Sequence, residues 1–200
     1  MQTGIGLVCA GAAVAILSLG ACTTEPGPYP NPPAGLQPVI NQNEVADWPS
    51  TAPTNEHSGP SLDLMVTKSM LYDAALRHGV NPYLVMGLAW HESGWNASAV
   101  SSAGAIGIMQ VMPATAAVSG PNLLHRQVNL FDPADNIDMG TAILRANLDR
   151  FNHDIAKALV AYYAGGGAVT DWNRLTPDEQ RYVWAVYRAA MLFKEGQGPA

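Results

Sequence analysis

Beyond position 22 the chain has no cysteine; Cys9 and Cys22 are the only two. The rest of the sequence therefore offers no disulfide, no thiol nucleophile and no cysteine-based metal site. The histidines, His57, His78, His91, His125 and His153, are scattered without the close pairing that metal ligation usually shows. No metal and no cofactor is expected. Charge is scarce too, at 13% of residues. Lys and Arg are absent from residues 1–60, which hold four acids, so the remainder is close to neutral. That balance excludes a basic nucleic-acid surface and suits an uncharged or mixed-charge partner. Several reaction motifs are missing: there is no G-x-S-x-G, no Walker A and no G-x-G-x-x-G. His91-Glu92 begins like H-E-x-x-H, but the fifth position is Trp95, so the zinc reading fails. Carboxylates run out as well. Between Asp73 and Asp132 the single acid is Glu92.

Only one long uncharged apolar stretch is present, "IGLVCAGAAVAILSL" at 5–19. It is too short to cross a bilayer comfortably and fits the apolar region of a signal peptide. It leads into Leu19-Gly20-Ala21-Cys22, which resembles a bacterial lipoprotein lipobox. The resemblance implies a signal peptide over 1–21, cleavage before Cys22 and lipidation of that residue, with more than one acyl chain anchoring it to a membrane. Thr23, rather than Asp, follows the cysteine. The implied location is the cell envelope, on the outer membrane facing the periplasm. Against this, "MQTGIG" lacks the usual basic start, and ordinary secretion with cleavage after Gly20 is the alternative. Residues 23–60 hold nine of the 15 prolines and few large apolar side chains. Such a segment cannot offset its ordering entropy, so 22–60 reads as a tether.

From 61 to 200 the pattern is that of a mainly α, compact helical domain with little or no sheet. Asn81-Pro82 and Asp132-Pro133 each place a capping side chain before a proline at the first helical position. Thr176 with Glu179 makes a capping box, and Asp154 can cap another helix. An earlier helix over 62–78 is expected to end at Gly79 and to carry an Asp73–Arg77 pair at i,i+4 spacing. Ile137, Thr141, Leu144, Leu148 and Phe151 recur at helical spacing, as do Val183, Val186, Tyr187 and Ala190.

"YLVMGLAW" at 83–90 is apolar on every side, the mark of a helix buried all round. It delivers His91-Glu92 at its C-terminal end, with Gly94 available for a left-handed exit. A carboxylate there meets the negative end of the helix dipole and an apolar surrounding. Both disfavour ionisation, and a raised pKa is what a general acid near neutrality requires. On a helix His91 points about 100° away from Glu92 and is expected to be incidental.

The flanking residues form a series. Glu92-Ser93 with Trp95-Asn96 comes first, then Ser101 and Gly104-Ala105. Gly107-Ile108-Met109-Gln110, Met112-Pro113 and Thr115-Ala116 follow, then Asp132-Pro133, Asn136-Ile137 and Gly140. Ala158-Leu159 and Ala161-Tyr162-Tyr163-Ala164-Gly165 close it. In this order the series resembles the lytic transglycosylase domain of the soluble-lytic, goose-lysozyme-like class (glycoside hydrolase family 23), over about 62–170. The resemblance implies a lysozyme-like fold acting on peptidoglycan glycan strands. The MurNAc-β-1,4-GlcNAc bond would be cleaved to leave a 1,6-anhydro end, with Glu92 as single acid/base and the substrate's own N-acetyl group assisting. That is a known departure from the two-carboxylate scheme.

Four further matches imply contacts with substrate: Ser101 near the acid and the N-acetyl group, Gln110 and Met112 along the glycan cleft, and Tyr162 holding the acid or the sugar. Asp132-Pro133 and Asn136 read as caps and packing. Tyr163 stands where the family usually has Asn, so glycan length preference is open. A hydrolytic muramidase on the same scaffold and a non-catalytic glycan-binding lipoprotein are the alternatives. A cell-wall or secretion machinery is a further partner that the sequence leaves open.

Overall fold

The computed structural model describes residues 60–167, 169 and 172–197. The signal peptide, Cys22 and the tether up to residue 59 lie outside the described residues. Six α-helices follow in order: α1 (Pro60–Arg77), α2 (Pro82–Ser93), α3 (Pro113–Ser119), α4 (Pro133–Arg150), α5 (Ile155–Ala164) and α6 (Pro177–Lys194). A turn of π-helix, Gly120–Leu124, continues α3, and a 3-10 turn, Trp172–Arg174, precedes α6. No strand forms among the described residues, only two isolated bridges in the loop after α2, Val100–Ile106 and Ile106–Val111.

The caps anticipated from short-range sequence signals are present. Asn81 accepts from the backbone N–H groups of Tyr83 and Leu84, Asp132 from Asp135 and Asp154 from Lys157. Thr176 and Glu179 close a reciprocal capping box. Each satisfies donors that the first helical turn leaves orphaned.

Helix α2 is the centre of the core. Leu84 through Ala89 are all buried, although Trp90 at its end is 37% exposed. Its main packing partner is α6, with α1 on another side; α4 packs on α1 and α5, and α5 on α6. Gly87 permits the α2–α6 approach, because a Cβ there would lie 2.6 Å from the backbone nitrogen of Ala190.

One expected pair does not form. Arg77 reaches Asp138 on α4 at 3.3 Å instead of Asp73 on its own helix. Asp138 also meets the His78 ring at 2.8 Å and Arg126 at 2.8 Å, so it collects partners from two other segments. A carboxylate offering several partners competes well against one exposed i,i+4 pair, which is worth only about 0.3–0.5 kcal/mol.

The loop from Gly94 to Met112 is held by buried polar contacts. Asn136, fully buried on α4, accepts from the N–H of Met109 at 2.8 Å and donates to the carbonyls of Ile106 at 2.8 Å and Leu130 at 3.0 Å. Gly107 leaves room for it, since a Cβ there would lie 2.4 Å from the Asn136 amide. Gly140 does the same for Met109, whose Cβ would be 2.4 Å from an added methyl group. Asn136 and Gly140 thus lock the segment bearing Gln110 and Met112 onto α4.

Candidate active site

Glu92 is the penultimate residue of α2, and the helix stops just after it because Gly94 turns left-handed at φ 62°. The Gly94 N–H closes onto the Trp90 carbonyl at 2.8 Å. Ser93 donates to the carbonyl of Ile108 at 2.8 Å, and the Trp95 indole donates to that of Met86 at 3.2 Å. These contacts fix the end of the helix against the following loop. The Glu92 carboxylate opens into a cavity of about 300 Å³.

The cavity walls come from several segments. The loop contributes Gln110 and Met112, and α3 contributes Thr115 and Val118. Helix α4 adds Ile143, Asn147 and Arg150, while α5 adds Tyr162 and Tyr163. Among the described residues Glu92 is the one carboxylate in this lining. No group of three or more His, Cys, Asp or Glu side chains among them is placed to hold a metal.

Burial pushes the Glu92 carboxyl up to about 7, and a hydrogen bond donated by the Tyr182 hydroxyl to Oε1 partly opposes that rise. The expected direction is therefore present, with removal from water as the main cause and a phenol as the counterweight. Tyr182 itself is pushed well above its ordinary value by burial and by the nearby Glu92 charge. It stays protonated and remains a donor over the working pH range. The Tyr163 ring stacks on Tyr182 at 4.6 Å between centroids, and the His91 ring meets it edge-on at 4.9 Å. His91 thus touches the group that bonds the acid.

The four substrate-contact candidates are placed differently. Gln110 and Met112 line the cavity with Glu92. Gln110 is left-handed at φ 46° and spends its amide donors on the carbonyls of Gly107 at 2.9 Å and Ala99 at 3.3 Å. Met112 is the residue from which α3 starts. Tyr162 lines the cavity, but its hydroxyl donates to the Met109 carbonyl at 2.9 Å and so holds the loop. Ser101 is not in the lining; its Oγ accepts from the Ala105 N–H at 3.0 Å and closes a turn.

Tyr182 is the residue that sequence reasoning passes over. It sits beside Val183 on a helix whose apolar spacing reads as core, and it is 90 positions from the acid it bonds. No local pattern connects the two. The stacking role of Tyr163 and the presence of Arg150 in the lining are equally invisible in one dimension.

A carboxyl that burial lifts to about 7, anchored by a permanent donor in a cleft of about 300 Å³, is suited to give a proton and take one back within a single turnover. Comparisons with known proteins give the family. Residues 69–185 match the family described as "Transglycosylase SLT domain". The "Transglycosylase" of Enterobacteria phage PRD1 is 41% identical over 126 residues, covering 63% of this chain and 43% of the phage protein. "Membrane-bound lytic murein transglycosylase C" of Histophilus somni strain 2336 is 37% identical over 112 residues, covering 50% of this chain and 31% of that protein. The chain therefore spans less than half the length of these relatives. Among solved structures, an inactive mutant of lytic transglycosylase Slt from Pseudomonas aeruginosa superposes with a TM-score of 0.60 at 25% identity, over 68% of this chain and 25% of that one. The soluble lytic transglycosylase in complex with bulgecin A gives 0.61 at 24% identity, over 68% of this chain and 25% of that one. The helical fold is thus lysozyme-like, and the matched segment runs from within α1 to within α6, carrying both Glu92 and Tyr182. The chain belongs to the transglycosylase SLT domain family.

Proposed function

We propose that this chain is a peptidoglycan lytic transglycosylase with Glu92 as its single general acid and base. The observation that carries the reading is one carboxylate, lifted to about 7, in a cavity with no second carboxylate among the described residues. Protonated Glu92 gives its proton to the glycosidic oxygen as the bond between muramic acid C1 and that oxygen breaks. The resulting carboxylate then takes the proton of the muramic acid C6 hydroxyl, whose oxygen bonds to C1. The products are a 1,6-anhydro-muramic end and a free N-acetylglucosamine hydroxyl, and Glu92 is protonated again. The substrate's N-acetyl oxygen shares the charge at C1 in place of a second acid. Tyr182 orients the carboxylate throughout. The Gln110 oxygen and Met112 supply an acceptor and an adaptable apolar surface to the sugar. Tyr162 supports the site through the loop it holds. Ser101 contributes near the N-acetyl group only if its turn opens toward the cleft.

The relatives named membrane-bound support a cell-envelope location. Within that setting, lipidated Cys22 anchors the chain to the outer membrane facing the periplasm, and the 22–60 tether gives it reach to the wall. No described helix is long and apolar enough to cross a membrane.

The test incubates the full chain, as wild type and Glu92→Gln, with purified peptidoglycan and weighs the released fragments by mass spectrometry. Anhydro-muropeptides from the wild type alone are expected. Products heavier by one water would move the assignment to a hydrolytic muramidase. A folded wild type that binds strands yet releases nothing would leave a glycan-binding scaffold.

A further inference from the structure

Helix α5 carries two consecutive tyrosines near its end, Tyr162 and Tyr163. Neighbours on a helix diverge by about 100°, so the two rings serve different surfaces. Tyr162 sends its hydroxyl to the Met109 carbonyl and holds the loop. Tyr163 instead lays its ring on Tyr182 of α6, with centroids 4.6 Å apart and planes 28° from parallel. The His91 ring meets the same phenol at 4.9 Å and 76°. Tyr182 is therefore gripped by one stacked ring from α5 and one upright ring from α2.

Packing between α5 and α6 accounts for a stack, but not for where this one lies. Glu92 and Tyr163 both line the cavity. Tyr182, whose hydroxyl bonds Glu92 Oε1, is only 4% exposed and does not line it. Tyr163 thus fronts the cleft with the phenol behind it. A hydrogen bond to a carboxylate strengthens where water is kept away, and weakens where water competes for either partner. It is directional as well, so a phenol that swings about χ1 loses it. A stacked ring restrains that swing and excludes water with the same atoms. The asparagine usual in the family at this position has no ring to do either.

We propose that Tyr163 is a positioning residue of the reaction, its ring holding and shielding the Tyr182 phenol on Glu92. The inference rests on the acid/base reading of Glu92 above. Tyr163 acts through Tyr182, and its own hydroxyl is not required.

The experiment uses the full chain on solubilised glycan strands. It compares wild type, Tyr163→Phe, Tyr163→Asn, Tyr182→Phe and the double variant Tyr163→Asn with Tyr182→Phe, with melting curves to confirm folding. Tyr163→Asn is expected to lower kcat about fivefold with KM unchanged, the factor of one aromatic pair. Tyr163→Phe keeps the ring and should retain most of the wild-type kcat. In the Tyr182→Phe background, Tyr163→Asn should cost little more, because no hydroxyl is left to hold. Proton NMR supplies a readout that needs no turnover. A downfield hydroxyl resonance, assigned to Tyr182 by its loss in Tyr182→Phe, is expected in wild type and Tyr163→Phe. In Tyr163→Asn it should broaden through exchange with water. A rise in KM alone, an equal loss in Tyr163→Phe, full additivity of the two substitutions, or an unchanged resonance in Tyr163→Asn would overturn the proposal. A wild type that gives this pattern of resonances yet releases no product would support the role of Tyr163 and overturn the peptidoglycan reading instead.

Discussion

Taking one oxygen from Tyr182 separates two tasks of its hydroxyl. The bond it donates lowers the Glu92 pKa from where burial alone would put it. In Tyr182→Phe, the alkaline limb of the kcat/KM profile is therefore expected to move to higher pH. The rate at the optimum should drop about tenfold or more, because a bond to a charged group is worth about 1.5–3 kcal/mol and here also aims the acid. A limb that stays in place while the rate falls would assign Tyr182 to positioning alone. Glu92 itself makes a linkage prediction. Its folded value of about 7 lies above the 4.5 of an unburied carboxyl. The folded state favours the proton, so nothing is lost below pH 4.5. Stability then declines as the pH rises through 7, where a buried charge must be carried. Glu92→Gln should match wild type in stability at pH 4 and exceed it by up to about 3 kcal/mol at pH 8. Denaturant titrations at the two pH values check this.

At the scale of elements, the loop after α2 depends on α4. Removing the Asn136 amide leaves the Met109 N–H and the Leu130 carbonyl without their partner, while the Ile106 carbonyl keeps the Val111 N–H. Asn136→Ala is expected to cost about 2 kcal/mol, at roughly 1 kcal/mol or more per orphaned group. Gly140→Ala should gain helix propensity of about 1 kcal/mol but lose about 1–3 kcal/mol by driving a methyl group into Met109. Thermal melts read both changes. Activity should fall further than stability, since Gln110 and Met112 move with the loop. The helices were legible because their starts are local: Asn81, Asp132, Asp154 and Thr176 bond donors within three residues of themselves. Most of what shapes the site was not. The left-handed Gln110, the bridges at Ile106 and the π turn after α3 carry no helix or strand periodicity by which to read them. Arg77 shows the same limit, since its helical spacing predicted Asp73 and the fold offered Asp138.

For the whole molecule, the decisive contact is the backbone-close seam between α2 and α6. An added methyl group at Gly87 would meet the Ala190 nitrogen at 2.6 Å and the Val186 oxygen at 2.8 Å, both backbone atoms. The helices must part to admit it. Gly87→Ala is expected to lower stability by about 2 kcal/mol despite better propensity. It should also depress turnover well below the melting temperature, because Tyr182 is carried away from Glu92. A variant with normal turnover would mean that the seam does not set the acid. The sequence placed Glu92 at the right end of the right helix, while its phenol partner depends on that seam and lay beyond any spacing rule. The 90 positions between them also set when the acid comes into being. During synthesis, the glutamate emerges long before the tyrosine, and until the last helix docks it is an ordinary, water-facing acid. On the proposed reading, the acid is thus armed by completion of its own folding.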